Sequence, residues 1–242
     1  MEKNFVDGME NFLKVESADL EKIPHKRVFA IGDIHGHYSE FISLYNKLEV
    51  TDEDLVILLG DLIQGGDENL KMLRWAMAAS SKKNVIVLMG NAEDDFLKKF
   101  NKNNPNIFEV KGSTAVELAN ATKNEPNLIK DVYRFIKNLR THYNLNDLFF
   151  FCHAGIDPQR TLTEQTKTKL LSNRPKNFAD SYRGRALIVV GHTRVQKINP
   201  SYTTPIKLAD RNILLLDTGI KKGGRISCVD VLSGEFFQSE AE

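Results

Sequence analysis

Short apolar runs alternate with amphipathic helical segments along most of this chain, and this alternation limits its fold more than any other feature. The run Val28–Ile31 stops at a glycine, as a buried strand does, and apolar residues from Phe41 to Leu48 then recur at spacings of three and four. Similar patterns predict strands at 55–59, 85–89, 148–152, 186–190 and 213–216, a hairpin of 226–231 and 235–238, and helices at 70–79 and from about Glu93. Strands and helices that alternate at roughly 30-residue spacing are typical of βαβ units. The sequence therefore predicts an α/β fold with a parallel core sheet.

Two regions depart from this rhythm. Residues 1–26 are polar and weakly patterned, and we interpret them as an N-terminal extension. Residues 101–147 contain two helical stretches, 113–121 and 128–139, which are predicted to form a cap or side layer over the sheet. A chain of 242 residues accommodates one domain with a sizeable core, and we assign that domain to residues 27–242.

The composition argues against several classes of partner. With 33 Lys and Arg against 32 Asp and Glu, the chain has no excess charge to drive binding to nucleic acid or to a membrane surface. No apolar run reaches the roughly 18 residues that a membrane span needs, and the first residues lack the basic-then-apolar order of a secretory signal. Cys152 and Cys228 each lie in an apolar run and are expected to be reduced thiols. We therefore expect a cytoplasmic protein that binds neither nucleic acid nor membrane.

Five of the predicted strands end in glycine mixed with side chains that can bind metal. In open α/β sheets the ligand crevice lies just beyond the carboxyl ends of the strands, so these side chains are expected to converge. Taken singly, each has a common structural interpretation as a turn residue, a helix cap or a hydrogen-bonded histidine. Their joint occurrence favours a metal centre. The five strand ends are Gly32-Asp33-Ile34-His35-Gly36, Gly60-Asp61, Gly90-Asn91, His153-Ala154-Gly155 and Gly191-His192-Thr193.

The types of ligand indicate which metals and which chemistry to expect. Oxygen and imidazole ligands without thiolate favour two divalent ions, Mn²⁺ first, with Fe or Zn²⁺ as alternatives to it. Two metals bridged by one carboxylate would clamp a phosphate and provide a metal-bound hydroxide at neutral pH. The sequence thus predicts hydrolysis of phosphoesters.

With these motifs the chain resembles the phosphoprotein phosphatase branch of the calcineurin-like metallophosphoesterases. It is most similar in pattern to bacterial serine/threonine phosphatases and symmetrical diadenosine tetraphosphate hydrolases. The resemblance covers roughly residues 27–237 and implies a sandwich of mixed central sheets flanked by helices, with a helical insertion around 101–147. Its motifs here are GDIHG (32–36), GDLIQGG (60–66), GNAE (90–93), HAG (153–155), GHT (191–193) and the closing LDTGIKKGGRIS (216–227).

The resemblance also implies roles for individual residues. Asp61 would bridge the two metals and so belong to the catalytic centre, and Asn91 would face the substrate as well as a metal. Arg174 would bind the phosphate oxygens, for which a planar guanidinium is well suited. The substrate would be a phosphorylated small molecule, a nucleotide or a phosphoprotein. The implied ligands are Asp33, His35 and Asp61 for one metal, and Asp61, Asn91, His153 and His192 for the other.

Three positions depart from the family pattern. Gln64 and Gly65 replace the second Asp and the Arg of GDxxDRG, and Ala92 replaces the His of the GNH motif. That Asp and His form the dyad that protonates the leaving group, an effect typically worth about 10²–10⁴-fold. We therefore expect slow hydrolysis of phosphomonoesters or phosphoanhydrides, with good leaving groups preferred.

Two other interpretations stay open from sequence alone. One is a weak or inactive pseudophosphatase that binds metal and phosphorylated ligands, favoured by the joint loss of three catalytic residues. The other is a phosphodiesterase or nuclease of the wider fold. Against the second stand Arg174, the closing DTG segment and the balanced charge of the chain.

Overall fold

A computed structural model describes residues 3–100 and 113–240 of the chain. The described strands form two sheets that pack face to face. Their order is β1-β11-β10-β2-β3-β4 in the first sheet and β5-β6-β7-β9-β8 in the second. The strands are β1 (Asn4–Phe5), β2 (Val28–Ile31), β3 (Leu55–Leu58), β4 (Val85–Val87), β5 (His142–Leu145), β6 (Phe149–Cys152), β7 (Leu187–Val190), β8 (Ile206–Lys207), β9 (Ile213–Leu215), β10 (Ser227–Asp230) and β11 (Glu235–Gln238).

Each sheet has a parallel centre and antiparallel margins. In the first sheet β2, β3 and β4 are parallel and β10 joins β2 in the opposite direction. In the second sheet β6, β7 and β9 are parallel, with β5 and β8 antiparallel at the edges. The expected fold class of mixed sheets flanked by helices is confirmed, while the expectation of one parallel core sheet is corrected to two. The second sheet begins where the insertion interrupts the βα alternation.

Helices cover the outer faces of both sheets. The first sheet carries α3 to α7 and the second carries α8 and α9, whereas α1 and α2 lie near the N-terminus. The ranges are α1 (Met9–Val15), α2 (Ser17–Leu20), α3 (Tyr38–Lys47), α4 (Asn69–Ala79), α5 (Asn91–Lys99), α6 (Ser113–Thr122), α7 (Leu128–Lys137), α8 (Lys167–Ser172) and α9 (Pro175–Phe178). In the described part of the chain no helix combines the length and the hydropathy needed to cross a membrane.

Alternation of side chains along the strands divides the core into three apolar layers. Val28 and Ala30 of β2 face Phe149 and Phe151 of β6 across the space between the sheets. Their neighbours along each strand point outward against the helices, as a period of two requires. Both faces of the central strands are therefore buried, which explains why they are continuous hydrophobic runs in the sequence.

The N-terminal residues and the insertion both pack on this sandwich. Strand β1 extends the first sheet by pairing with β11, and Phe12 of α1 meets Phe149 edge to face at 5.7 Å between ring centroids. Arg185 forms ion pairs with Glu16 and Asp19. In the insertion, α6 and α7 pack against α4 and α5 and so form a side layer. Residues 101–112 of the predicted insertion lie outside the described residues.

Candidate metal centre

The carboxyl ends of five strands from both sheets meet at one edge of the sandwich. There Asp33, His35 and Asp61 place three ligand atoms within 4.8 Å of one another, and Asp61, His153 and His192 do the same. Asp61 belongs to both groups. The crevice is therefore formed between two sheets rather than at the edge of one, and it is shared by the strands that carry the predicted ligands.

The six side chains predicted as ligands all lie at this edge. His35 Nε2 is 3.6 Å from Asp33 Oδ2 and 3.6 Å from Asp61 Oδ2. His153 Nε2 is 3.3 Å from Asp61 Oδ1 and 3.0 Å from Asn91 Oδ1. The His192 ring lies edge-on to the His153 ring, with 5.0 Å between centroids. The strand ends named in the sequence thus converge as expected.

Three of these residues have left-handed backbone conformations, which cost about 1–3 kcal/mol each and persist only where the surroundings impose them. Their φ angles are 51° at His35, 49° at Asp61 and 60° at His192. His35 N–H donates to the Asp61 carbonyl at 2.8 Å, and His192 N–H donates to Asp33 Oδ1 at 2.9 Å. Hydrogen bonds within the site therefore hold two of these strained residues, His35 and His192, in place.

Two glycines allow the strand ends to approach this closely. Gly60 has a φ of 95°, and a Cβ atom there would collide with the backbone of Gly90. A Cβ atom on Gly90 would in turn collide with the backbone and carboxylate of Asp61. The glycines that precede Asp61 and Asn91 are thus required by the close contact of β3 and β4 at their ends.

Backbone carbonyls fix the orientation of two imidazoles. His153 Nδ1 lies 3.0 Å from the Leu59 carbonyl, and His35 Nδ1 lies 3.1 Å from the Ile63 carbonyl. A proton on Nδ1 in each ring satisfies these contacts, so Nε2, which points toward the carboxylates, is the atom that would bind a metal. Histidine ligands of metals are commonly held in this way.

The carboxylates and imidazoles strongly perturb one another. Burial acts to lower the pKa of His35, but the Asp33 and Asp61 carboxylates outweigh it and raise that pKa to about 9. Burial, reinforced by the charge of His153, lowers the pKa of His192 to about 4. Strong opposing perturbations within one small cluster are typical of a functional site.

The donor set fits divalent metal ions. His192 Nε2 is buried and has no hydrogen-bond partner among the described residues, although a buried polar atom without a partner is rare and costly. The other donors are carboxylate, imidazole and amide groups that converge from different strands. Such a set suits Mn²⁺, Fe or Zn²⁺.

Glu93 is a residue of this site that the sequence did not reveal. Its fully buried carboxylate accepts backbone N–H groups of Asp61, Leu62 and Gly90 at 2.8–2.9 Å, with a longer contact to Ile63 N–H at 3.3 Å. Burial, aided by the charge of Asp61, raises the pKa of Glu93 to about 7. Glu93 ties the Asp61 loop to the start of α5. The available signal was an acidic residue at the third position of a helix, as in a capping box.

Asp217 is a second buried carboxyl that sequence reasoning passed over. It follows β9, accepts Gly219 N–H at 2.9 Å, and is nearly inaccessible. Burial, with the Asp33 carboxylate adding to it, raises the pKa of Asp217 to about 8. The signal that could have found it is its position, because it ends another core strand in the same way as Asp33 and Asp61 do.

The three departures from the family pattern lie side by side. Gln64 Nε2 donates to the Ala92 carbonyl at 2.9 Å, so the two positions of the missing dyad are adjacent. Gly65 lies on His35, and a Cβ atom there would come within 2.5 Å of the His35 carbonyl oxygen. The loop path at residue 65 is therefore one that a side chain would disturb.

Arg174 influences one residue of the second group of ligands through its charge. It directly precedes α9, its N–H donates to Asn173 Oδ1 at 3.0 Å, and its side chain is exposed with no ion pair among the described residues. After burial, His153 and Asp33, its positive charge is a further influence on the pKa of His192. Arg174 is thus near enough to act electrostatically on this end of the site.

Comparison with known proteins defines the class of this protein. The sequence model of the calcineurin-like phosphoesterase family matches residues 26–220, and the chain belongs to this family. The family uses divalent metals, which agrees with the two ligand groups of the structure. The prediction of a metal-dependent phosphoesterase is thereby confirmed.

Individual relatives are distant but cover most of the chain. The asymmetrical bis(5′-nucleosyl)-tetraphosphatase PrpE of Bacillus subtilis is 27% identical over 69% of this chain and 79% of its own length. Serine/threonine-protein phosphatase 2 of Salmonella typhimurium is 26% identical over 88% of this chain and 96% of its own length. Both types of relative had been expected from the motifs, although the diadenosine tetraphosphate hydrolases expected there were the symmetrical ones.

Solved structures agree on the fold. A protein serine/threonine phosphatase of Saccharomyces cerevisiae matches with a TM-score of 0.63 at 13% identity, over 97% of this chain and 89% of that one. A cold-active protein-tyrosine phosphatase of a psychrophilic Shewanella matches with a TM-score of 0.56 at 20% identity, over 89% of this chain and 81% of that one. At these identities the match concerns the architecture alone.

Proposed function

We propose that this chain hydrolyses phosphoesters or phosphoanhydrides that have good leaving groups, using two divalent metals and no histidine acid. The ligands would be Asp33, His35 and Asp61 on one side and Asp61, Asn91, His153 and His192 on the other. The observation that carries the proposal is the pair of ligand groups that share Asp61. The unpartnered, buried Nε2 atom of His192 supports it further.

Bound metals would supply Lewis-acid activation of the phosphoryl group and of the attacking water. The chain's own residues hold and orient the ligands. Carbonyl contacts hold the His35 and His153 rings with Nε2 toward the carboxylates, and Glu93 fixes the loop that carries Asp61. Because these supports come from backbone and buried side chains, the ligands are preorganised before substrate binds.

Arg174 is proposed to bind the non-bridging phosphate oxygens. Its guanidinium has no competing carboxylate among the described residues, and its positive charge reaches His192. The Asn173 side chain anchors its backbone by donating to the Ile156 carbonyl at 2.6 Å and accepting the Arg174 N–H. A planar donor at this position would orient a tetrahedral phosphate.

The leaving-group side of the site explains the proposed substrate preference. Gln64 cannot donate a proton, and its amide is engaged with the Ala92 carbonyl. A departing alkoxide of high pKa would find no acid at these two positions, whereas an aryl oxide or a phosphate needs little assistance. Phosphoanhydrides such as dinucleoside polyphosphates, and activated monoesters, are therefore the proposed substrates, ahead of serine phosphates.

A binding protein that does not turn over its ligand is the second candidate. The joint replacement at residues 64, 65 and 92, with Gln64 hydrogen-bonded to the adjacent backbone, favours it. Such a protein would keep the metals and Arg174 for recognition of phosphate. Such a binding protein would differ from the proposed hydrolase only in that it does not turn over its ligand.

The test compares three substrates on one preparation. Metal-stripped protein is reloaded with Mn²⁺ and assayed with para-nitrophenyl phosphate, diadenosine tetraphosphate and a phosphoserine peptide, with Asp61→Asn as the blank. We expect Mn²⁺-dependent turnover that is lost in the variant and is slowest on the peptide. Equal or faster turnover of the phosphoserine peptide would overturn the proposed preference. Phosphate binding without turnover, at full metal loading, would establish the second candidate.

A further inference from the structure

A large groove lies away from the metal centre, between the edge strands of the two sheets. It has a volume of about 900 Å³ and is bordered by α7, by the end of α4, by β4 and by β5. Strand β4 is the last strand of the first sheet, and β5 is the first of the second. The groove therefore lies where both sheets end.

The groove follows the open edge of β4. Three consecutive residues, Val85, Ile86 and Val87, all line it. Since side chains alternate between the two faces of a strand, successive residues can share one groove only when it runs along the backbone edge. Within the described part of the chain, β4 pairs along its length with β3 alone, and Leu88 makes a single bridge to Arg140 beyond its end.

The bridge to Arg140 indicates how an extended segment would fit. Met89 N–H donates to the Arg140 carbonyl at 2.7 Å, so the chain at residue 140 already adds one residue of parallel strand beside β4. The edge of Val85–Val87 continues from that point toward the opposite end of the sheet. An exposed strand edge presents unpaired N–H and C=O groups that pair readily with another strand.

The walls and rim of the groove have distinct chemistry. Its walls include partly buried apolar groups, among them Ile86, Phe135 and Tyr143. Its rim carries Lys82, Lys83, Arg134 and Arg140, all exposed, against a single acidic residue, Asp131. Asp131 is paired with Arg134 at 3.3 Å, and the other three cations have no ion pair among the described residues. The rim thus has an excess of uncompensated positive charge.

We propose that this groove, the β4 edge groove, binds an extended acidic polypeptide segment of a partner protein, which adds to the sheet beside Val85–Val87. Main-chain hydrogen bonds to β4 provide the affinity, the apolar groups receive alternate side chains, and Lys82, Lys83 and Arg140 select acidic residues. The same cations disfavour pairing with a second copy of β4, because like charges would meet. The occupant stays outside the metal centre, since β4 enters that centre only at its other end, through Gly90 and Asn91.

The test measures binding of a fluorescent extended peptide of alternating Glu and Val to the full-length protein, by anisotropy. Using the Asp61→Asn variant separates this binding from turnover and from the proposed function. We expect saturable binding that Lys82→Glu combined with Lys83→Glu weakens at least about tenfold. The matched control, Lys123→Glu with Lys130→Glu, makes the same charge change at exposed sites outside the groove and is expected to bind as the parent does.

A further peptide and a single-stranded oligonucleotide separate strand addition from charge attraction. A peptide with proline in place of alternate valines keeps its charge but cannot complete the ladder, and it is expected not to bind. Equal binding of the proline peptide, or preference for a single-stranded oligonucleotide, would overturn the proposal. Absence of binding by the Glu-Val peptide up to about 1 mM would overturn it as well.

Hydrogen exchange locates the bound peptide. Added protection at the amides of residues 85–87 is expected in the complex, with none in the Lys82→Glu, Lys83→Glu protein at the same peptide concentration. Protection confined to other regions would place the peptide elsewhere and reject the β4 edge groove. Turnover of para-nitrophenyl phosphate by protein with Asp61 intact is expected to be the same with and without the two charge reversals.

Discussion

The ligand side of the metal centre and its leaving-group side are built from the same loops but differ in how their residues are held. On the ligand side, Asp33, Asp61 and His192 are linked by hydrogen bonds to one another or to Glu93. On the leaving-group side, Gln64 contacts the Ala92 carbonyl, and the position of the family arginine is a glycine. The candidate ligands are thus held by several hydrogen bonds, whereas among the described residues the positions of the family dyad and arginine share one hydrogen bond, from Gln64 to Ala92.

The difference also has a physical basis in burial. The ligand side shares its supporting groups with the core, because Glu93 and Asp217 are buried and Glu93 ties the end of β3 to the start of α5. A change there would leave buried polar groups unpaired, at about 1–3 kcal/mol each. Gln64 is partly exposed and Gly65 is exposed, so the loss of a polar side chain at these positions leaves fewer buried groups unpaired.

Removing the shared ligand is expected to have the largest effect. Asp61→Asn should lower turnover by about 10³-fold or more, because it weakens both metal sites and so removes several kcal/mol of transition-state stabilisation. His35→Ala and His192→Ala each affect one ligand group and should each leave one metal bound. Metal content by mass spectrometry checks this, and equal metal loss in all three variants would contradict the bridging role.

Removing the Glu93 carboxylate, which holds the Asp61 loop, is expected to have the second largest effect. Glu93→Ala leaves the Asp61, Leu62 and Gly90 N–H groups without their acceptor and should reduce the free energy of unfolding by about 3–5 kcal/mol. Glu93→Gln keeps one acceptor oxygen and should lose less. Urea denaturation of the metal-free protein measures both, with Glu53→Ala as an exposed control whose ion pair among the described residues is with Lys26. A loss below about 1 kcal/mol for Glu93→Ala would show that the loop is held by other contacts.

Restoring the dyad tests the leaving-group side directly. Ala92→His alone should raise activity modestly, since Gln64 cannot orient the imidazole as a carboxylate would. Ala92→His with Gln64→Asp should increase turnover of phosphoserine peptides by about 10–10²-fold, approaching the range of general acid catalysis. The gain on aryl phosphates should be smaller. Equal gains on both substrates would mean that protonation of the leaving group is not what limits the parent protein.

Replacing Gly65 by the arginine of the family pattern is not expected to increase phosphate affinity. In Gly65→Arg the new Cβ would approach the His35 carbonyl oxygen to 2.5 Å, so the loop must shift. A loss of about 1–3 kcal/mol of stability is expected from this overpacking, with no gain in phosphate affinity. Thermal unfolding and inhibition by inorganic phosphate check the two parts. Tighter phosphate inhibition at unchanged stability would show that the loop accepts the side chain.

The smallest expected effect is a pH-dependent change in stability caused by Asp217. The pKa of Asp217 is raised to about 8, so its contribution to stability is complete below about pH 4 and is lost as the pH rises through about 8. Asp217→Asn removes this loss. In metal-free protein the variant should therefore gain in melting temperature relative to the parent between about pH 4 and pH 8, by at least about 2–4 °C at the upper end. A difference that does not change with pH would contradict this.

Much of the fold could be predicted because its central strands are buried on both faces. The run Val28–Ile31 was predicted with its observed limits, and the other core strands within one or two residues. Strand β5 was missed because His142–Leu145 is a half-exposed edge strand that includes polar residues. The apolar runs alone did not reveal the division into two sheets, because they identify strands without specifying their partners, whereas the family resemblance implied it.

Prediction of the candidate site has the same limit, because local patterns identify residues but not the distant groups that they contact. Residues such as Asp33 and His192 were found because they follow apolar strands and carry metal-capable groups. Glu93 lies inside a helix, and its role depends on backbone N–H groups from a loop about 30 residues away, which no local pattern encodes. Asp217 was visible only as the residue that follows a strand and opens the closing DTG segment, with no role assigned to its carboxyl.

The antiparallel pairing of β10 with β2 has a consequence for folding kinetics. Cys228 pairs with Ile31, so the strand leading to Asp33 acquires its neighbour on that side from the far end of the chain. Forming this contact closes a very long loop, and chains rich in such distant contacts fold slowly. Until then β2 has an open edge through which intermediates can associate. Slow refolding that competes with aggregation is therefore expected, and assembly of the metal centre should be among the last events.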